Sequence, residues 1–510
     1  MKKSIQYAVA GVIVVGAIGH HFLRDKPEVP VIPEANRVAI AANAKDFTIG
    51  TLAFTSCDLK QPRSSATTAA FCAPFAVPED RSKPDGRKID MRLALIESDN
   101  AVADGFVFFI AGGPGQSAVD NWPQIAPAFA PLRKNRNILL LDQRGIGGSN
   151  ALECASLPDE TAADFDPAII EQRTRECLDK VSQHSDPSQY TTTAAVEDIE
   201  ALRIALGGPT LDLVGVSYGT RVAQQYLMRH PDGVRSVVLD SVAPNSLVLG
   251  QEFSRNLDDA LKAQFTNCTK TPQCKKAFGD PMANLLTLRD RYKAEPKKVT
   301  VHDPVDFAES SMTLNENVLA SVARMHAYSP ETAALLPLII SEALKGDTAP
   351  LLGQAKMLER ALEELSNSAM QLSVICSEDV DRMKVDPAQA NSLLGNTMVD
   401  VMQQQCAIWP KGTRPADFNA SLVSDKPVLI LEGELDPVTP PRYGEEVMKG
   451  LTNGKLIVAK GQGHNVIGRG CIPKLVGKFV SELAPAKLDT KCVDQLGPIP
   501  AFISFSGATP

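Results

Sequence analysis

Histidine is scarce in this chain, seven among 510 residues, so any chemistry that needs an imidazole base must draw on few candidates. No C-x-x-C pair occurs, and no cysteine stands at ligand spacing from a histidine; Cys471 follows His464 by seven residues. That argues against a zinc site. Positive charge is in deficit: the formal net charge of −8 argues against nucleic acid as a partner and says nothing about fold. The glycines at 112–115 are not succeeded by Lys-Ser/Thr at the spacing of a phosphate-binding loop. Internal repeats are absent. The residues that are present, 44% hydrophobic and 22% charged, belong to a globular protein. The length implies two domains, or one core with a large insertion.

The first 45 residues differ from the rest. Lys2 and Lys3 precede residues 4–23, which carry no fixed charge. This is a signal peptide with a small-x-small site at 17–19, or an N-terminal membrane anchor at about the 20-residue minimum. Residues 24–45 read as a Pro-rich linker. The two lysines before the span favour export of the remaining chain, to the periplasm or the exterior. Ten cysteines behind such a segment indicate disulfides in an oxidising compartment, and pairing in chain order is the simplest connectivity.

From about residue 90 the chain alternates between apolar, strand-like runs (91–96, 106–110, 138–141, 211–216, 237–239) and helical patterns. In "TTTAAVEDIEALRIALGG", residues 191–208, Val196, Ile199, Leu202 and Leu206 form one apolar face and Gly207 ends it. Such alternation implies a mostly parallel sheet covered on both faces. It stops after residue 245, and long helical patterns with few strand signals run to about 420. It resumes in "KPVLILEGELDP" and "KLIVAKGQGHNVI". The expected organisation is an α/β core over 46–245, a helical cap insertion over 246–420, and the rest of the core over 421–510.

A strand-to-helix junction carries "GVSYG", with Ser217 between Gly215 and Gly219. A turn this abrupt tolerates no Cβ at either glycine, and it pushes the serine out at the sheet's end. A serine hydroxyl needs a base to act as a nucleophile. His464 is the one histidine that comes after a returning core strand. His20 and His21 lie in the export segment, His230 ends a helix, and His184, His302 and His326 lie in polar or inserted segments. For the acid that orients the base, Asp436 stands just past a core strand in a Pro-punctuated loop, with Glu432 and Glu434 as local rivals. The order Ser217, Asp436, His464 is that of α/β-hydrolases. An oxyanion needs two backbone donors: Tyr218, after the serine, and Gly113 (preferred to Gly112) in "AGGPG".

Together, "GGPG" at 112–115, "DQRGIGGS" at 142–149, "GVSYGT" at 215–220, "LDSVAP" at 239–244, "GELDPVTP" at 433–440 and "GQGH" at 461–464 resemble the α/β-hydrolases of the proline iminopeptidase and tripeptidyl aminopeptidase type. The segment from about residue 426 is similar to the tripeptidyl-aminopeptidase-like C-terminal region. The resemblance implies a mainly parallel eight-stranded sheet under a helical cap. It casts Ser217 as nucleophile, Asp436 as orienting acid, His464 as base, and Gly113 with Tyr218 as oxyanion hole. Asp142, Gln143 and Arg144 are then structural ties. Ala111 stands where proline iminopeptidases carry histidine, which weakens any strict preference for N-terminal proline. By the same resemblance, Glu378 and Asp379 are candidates to hold a substrate's free amine. A Cys376–Cys406 bridge would bring Trp409 beside them as an apolar wall.

The expectation is an exported serine hydrolase that needs no metal or other cofactor. It would act as an aminopeptidase removing one to three residues from peptides. The alternatives are an esterase or amidase acting on small acyl substrates, and an inactive hydrolase-fold binding protein.

Overall fold

The computed structural model describes residues 36–41, 44–60, 67–154, 166–365 and 368–508. The signal or anchor segment at 1–23 lies outside these residues, as does the linker through residue 35. The linker's end is no linker: Asn36 is buried and exchanges hydrogen bonds with Thr210, donating to its Oγ1 at 2.8 Å and accepting from its N–H at 3.0 Å.

Among the described residues ten strands form the main sheet: β1 (Asp46–Ile49), β2 (Leu52–Lys60), β3 (Thr67–Pro78), β4 (Lys88–Ile96), β5 (Phe106–Ile110), β6 (Asn137–Leu141), β7 (Leu211–Val216), β8 (Val234–Asp240), β9 (Val428–Gly433) and β10 (Gly454–Ala459). Their spatial order is β10-β9-β8-β7-β5-β6-β4-β3-β2-β1. The six from β10 to β6 run parallel, and β4 to β1 add on antiparallel. The sheet therefore has ten strands rather than the eight expected. The surplus is the edge pair β1 and β2, whose half-exposed, Thr- and Cys-bearing pattern carries no continuous apolar signal.

The parallel strands other than the edge strand β10 are buried on both faces, which is why they read as nearly unbroken apolar runs. In β5, Phe106, Phe108 and Ile110 enter one core while Val107 and Phe109 enter the other. The first core is covered by two helices, Thr192–Ala205 and Tyr218–Arg229. Val196, Ile199 and Leu202 of the former pack there with Val222 and Tyr226 of the latter. The opposite core is closed by the helices Ala118–Arg133 and Ile472–Glu482, through Trp122, Phe129, Val476 and Phe479.

The insertion is not one uniform cap. Residues from 257 to 355 have a core of their own, built on Leu257, Phe265, Leu285, Leu319 and Ile340. They also contain a hairpin, Lys297–His302 paired with Glu309–Leu314, that the sequence did not signal. The later helices, Ser368–Glu378 and Thr397–Cys406, instead pack into the main core through Met370, Ile375 and Met402, with Trp409 just beyond them. Trp409 donates to Ser373 and is sealed in that core, so it is not the wall of a pocket. The ten cysteines pair in chain order: Cys57–Cys72, Cys154–Cys177, Cys268–Cys274, Cys376–Cys406 and Cys471–Cys492.

Candidate active site

Ser217 occupies the turn between β7 and the helix Tyr218–Arg229, with φ 55° and ψ −125°. That conformation is strained for a residue with a side chain, and such strain clusters at functional sites. Both flanking glycines are required. A Cβ on Gly215 would sit 2.5 Å from the carbonyl oxygen of Gly219, and one on Gly219 would sit 2.3 Å from that of Ile110. Ser217 is half-buried, and its Cβ would lie 3.0 Å from a Cβ on Gly112.

His464 comes after β10, and Asp436 after β9. The imidazole Nδ1 and Asp436 Oδ2 are 2.7 Å apart, with Asp436 fully buried and His464 nearly so. The other carboxylate oxygen accepts the N–H groups of Val438 and Thr439, at 2.8 and 2.9 Å. Thr439 Oγ1 donates to Asp436 Oδ2 at 3.0 Å and lies 3.2 Å from the ring nitrogen. Burial works against the imidazolium, but the charge and hydrogen bond of Asp436, with Asp240 behind it, hold its pKa above the ordinary value. The rivals of Asp436 are engaged elsewhere. Glu432 accepts from the N–H of Val242 and is pushed by burial well above the usual carboxylate range. Glu434 accepts from the N–H of Gly461.

The inserted region reaches the histidine too. His464 N–H donates to the Tyr328 carbonyl at 2.8 Å, and the Tyr328 ring stands edge-on to the imidazole at 5.2 Å. A cleft of about 600 Å³ opens here, with Ala111, Gly112, Val216, His464, Asn465 and Arg469 in its wall. Gly113 is next to Gly112, exposed, with φ 107°, and Tyr218 begins the helix after the serine. Asp142 fixes this loop: it accepts from Ser117 Oγ (2.6 Å), Val119 N–H (3.0 Å) and Gly148 N–H (3.2 Å). Arg144 is paired with Asp198 at 2.6 Å, fully buried. These contacts match the structural role expected of Asp142 and Arg144, while the buried amide of Gln143 makes no hydrogen bond among the described residues.

The reading of Glu378 and Asp379 as amine anchors is corrected. Both carboxylates are fully buried and already have partners. Glu378 accepts from Thr192 N–H at 2.7 Å and Thr192 Oγ1 at 2.8 Å; that hydroxyl in turn meets Tyr218 Oη at 2.6 Å. Asp379 pairs with Arg221 and Arg382, each at 2.8 Å. A substrate ammonium has no access to them. They brace the helix that begins after Ser217, through Arg221 and through Thr192 and Tyr218. Burial, opposed by Arg221 and reinforced by Asp379, pushes the Glu378 carboxyl up to about 7.

Sequence reasoning missed Thr439, Tyr328 and Asp240 as neighbours of His464. Thr439 had a signal, since Asp436 three residues before it is the spacing at which an aspartate caps its own loop. Tyr328 had none.

The alpha/beta hydrolase fold family matches residues 105–469. Serine protease Hip1 of Mycobacterium tuberculosis is 26% identical over 466 residues, covering 84% of this chain and 88% of its own. Tripeptidyl aminopeptidase of Streptomyces coelicolor is 24% identical, covering 84% of each. Carboxylesterase B of M. tuberculosis is 25% identical, covering 81% of this chain and 84% of its own. Among solved structures, proline iminopeptidase of Mycobacterium smegmatis aligns with a TM-score of 0.37 at 15% identity, over 81% of this chain and 99% of its own.

Proposed function

The chain belongs to the alpha/beta hydrolase fold family and is a serine hydrolase, and from that premise we propose that it is an exported aminopeptidase releasing one to three residues from free peptide N-termini. The observation that carries the hydrolytic reading is the 2.7 Å His464–Asp436 pair beside the cleft at which the Ser217 turn is set. Asp436 keeps the imidazole in the tautomer with Nδ1–H, leaving Nε2 free to take the Ser217 proton as the serine attacks the scissile carbonyl. The N–H groups of Gly113 and Tyr218 receive the developing oxyanion. His464 then passes the proton to the leaving amine. Water, activated by the same base, hydrolyses the acyl-enzyme and restores Ser217. The five disulfides support work in an oxidising compartment. The peptidase relatives support a peptide as substrate.

A second reading has an observation of its own. With Glu378 and Asp379 sealed away, the cleft wall near His464 offers Arg469 and amide side chains such as Gln116 and Asn465. Among the described residues that line it, none is a carboxylate for an ammonium. This favours an esterase or amidase acting on neutral acyl substrates. The deciding experiment is hydrolysis by the whole chain, with Ser217→Ala as control. Its substrates are mono-, di- and tripeptidyl anilides, each with a free and an acetylated N-terminus, and one simple acyl ester. Turnover of the free amines that disappears on acetylation establishes the aminopeptidase. Ester turnover with indifference to acetylation refutes it in favour of the esterase. Failure of a fluorophosphonate to label Ser217 refutes both.

A further inference from the structure

Asp240, the last residue of β8, is buried and lies outside the Ser217–Asp436–His464 set, yet it touches both halves of the site. It is in register with Val216 on β7 and with Leu431 on β9, the strands that deliver Ser217 and Asp436. Its backbone carbonyl accepts the N–H of Ser217 at 2.9 Å. Its carboxylate accepts the N–H of Val466 on one oxygen and that of Ile467 on the other, both at 2.9 Å. Ser241, held at φ 60°, accepts the N–H of Asn465 on its hydroxyl at 2.8 Å. Three successive backbone donors directly after His464 are therefore gripped by two residues at the end of one strand.

We propose that Asp240 is a positioning residue of the hydrolytic centre: it clamps the histidine loop to the nucleophile's turn, and its negative charge favours the imidazolium that forms during the reaction. This rests on the triad reading above. The clamp is specific to a carboxylate. An amide in its place can accept one of the two N–H groups but must turn an NH2 toward the other, leaving a buried donor without a partner. Few other charges act on the same imidazole. Asp436, from the loop after β9, acts on His464 in the same direction as Asp240. Glu432, on β9, is pushed by burial well above the usual carboxylate range. Arg324, on the helix Glu316–Ala327, opposes the imidazolium, and Tyr328 presents only a ring edge. Asp240 itself is pushed up to about 6, first by burial, with its two backbone donors and His464 opposing.

The test is the pH profile of kcat/KM, with kcat and KM measured separately, for the whole chain and its Asp240→Asn and Asp240→Glu variants on one chromogenic ester. Fluorophosphonate labelling of the unaltered chain at Ser217 comes first: no labelling sinks the triad reading and this inference with it. Given labelling, the acidic limb reports protonation of the base. Asp240→Asn is expected to lower kcat by roughly 10- to 100-fold with KM little changed. It is also expected to move the acidic limb down by about one pH unit, because a charge that favoured the imidazolium is gone. A role confined to packing does not move that limb, so a folded Asp240→Asn variant with an unmoved limb overturns the proposal. Asp240→Glu keeps the charge and displaces the clamp, so kcat should fall while the limb stays. If the asparagine variant does not fold, the glutamate variant decides, and an unchanged kcat in it overturns the proposal.

Discussion

Replacing Asp436 with asparagine tests the catalytic reading most sharply, because the surrounding contacts dictate which way the new amide must face. Oδ1 of Asp436 receives two backbone N–H groups, from Val438 and Thr439. An asparagine must keep its oxygen there, since an NH2 would confront two donors. Its NH2 is thereby forced onto the position of Oδ2, 2.7 Å from His464 Nδ1. Two N–H groups cannot face each other at that distance, so the imidazole adopts the tautomer with its proton on Nε2. The base can then no longer accept a proton from Ser217. The expected loss is about 10⁴-fold in kcat, the scale seen when a triad aspartate becomes asparagine elsewhere. This corresponds to about 5 kcal/mol of transition-state stabilisation. The assay is steady-state hydrolysis of an activated ester by purified Asp436→Asn protein, beside a thermal melt showing that the near-isosteric change leaves the fold in place. A loss smaller than about tenfold would mean that Asp436 does not govern the tautomer, and the assignment of the acid would fall with it.

Two further expectations concern the network under the helix that begins after Ser217. Arg221 is fully buried, 2.8 Å from Asp379 and 3.9 Å from Glu378. Arg221→Ala should cost about 3 kcal/mol of stability, the low end for breaking a buried pair, because Arg382 still neutralises Asp379. A urea titration showing less than about 1 kcal/mol would place the pair with weak surface bridges and refute this account. Glu378 holds its proton more tightly in the folded chain, about 7 against 4.5 for an ordinary glutamate. Between those values the folded state binds more protons than the unfolded. The contribution of this group is therefore fully present below pH 4.5 and is lost as pH rises toward 7. Glu378→Gln should gain on the unaltered chain in melts run from pH 5 to pH 8, and parallel curves would refute the assignment.

The parts of the site that the sequence disclosed are those fixed by neighbours along the chain. Gly215 and Gly219 announce the turn at Ser217 because the clash they avoid involves backbone a few residues away or on the adjoining strand. Asp436 and His464 could be chosen because each comes after a returning apolar strand, and in-order disulfide pairing needed only short loops. The hairpin of β1 and β2 escaped because an edge pair with one exposed face carries no continuous apolar run, and its alternation lasts only a few residues, at Phe47 and Ile49 and at Leu52 and Phe54. Glu378, Asp379 and Asp240 were illegible for a different reason. Apart from Arg382, three residues beyond Asp379, the partners named for them lie 186, 158 and 226 residues away. An acidic dipeptide beside a cysteine looks alike in sequence whether it lines a pocket or is sealed against an arginine.

That misreading also revises what the insertion does. A cap that only roofs the cleft could be removed without disturbing the Ser217 turn. Here the helix Ser368–Glu378 lies in the same core as Val222 and Tyr226 of the helix Tyr218–Arg229. Glu378 joins Thr192 to that arrangement, and Thr192 meets the hydroxyl of Tyr218, whose backbone N–H is the proposed oxyanion donor. The earlier part of the insertion bears on the other half of the site, through the Tyr328 carbonyl that receives the His464 N–H. The inserted residues thus press on the serine side through two buried carboxylates, Glu378 and Asp379, and on the histidine side through Tyr328, by its carbonyl and its ring edge. An insertion placed between β8 and β9, the strands leading to Asp240 and Asp436, can reach both sides because those strands are neighbours in the sheet.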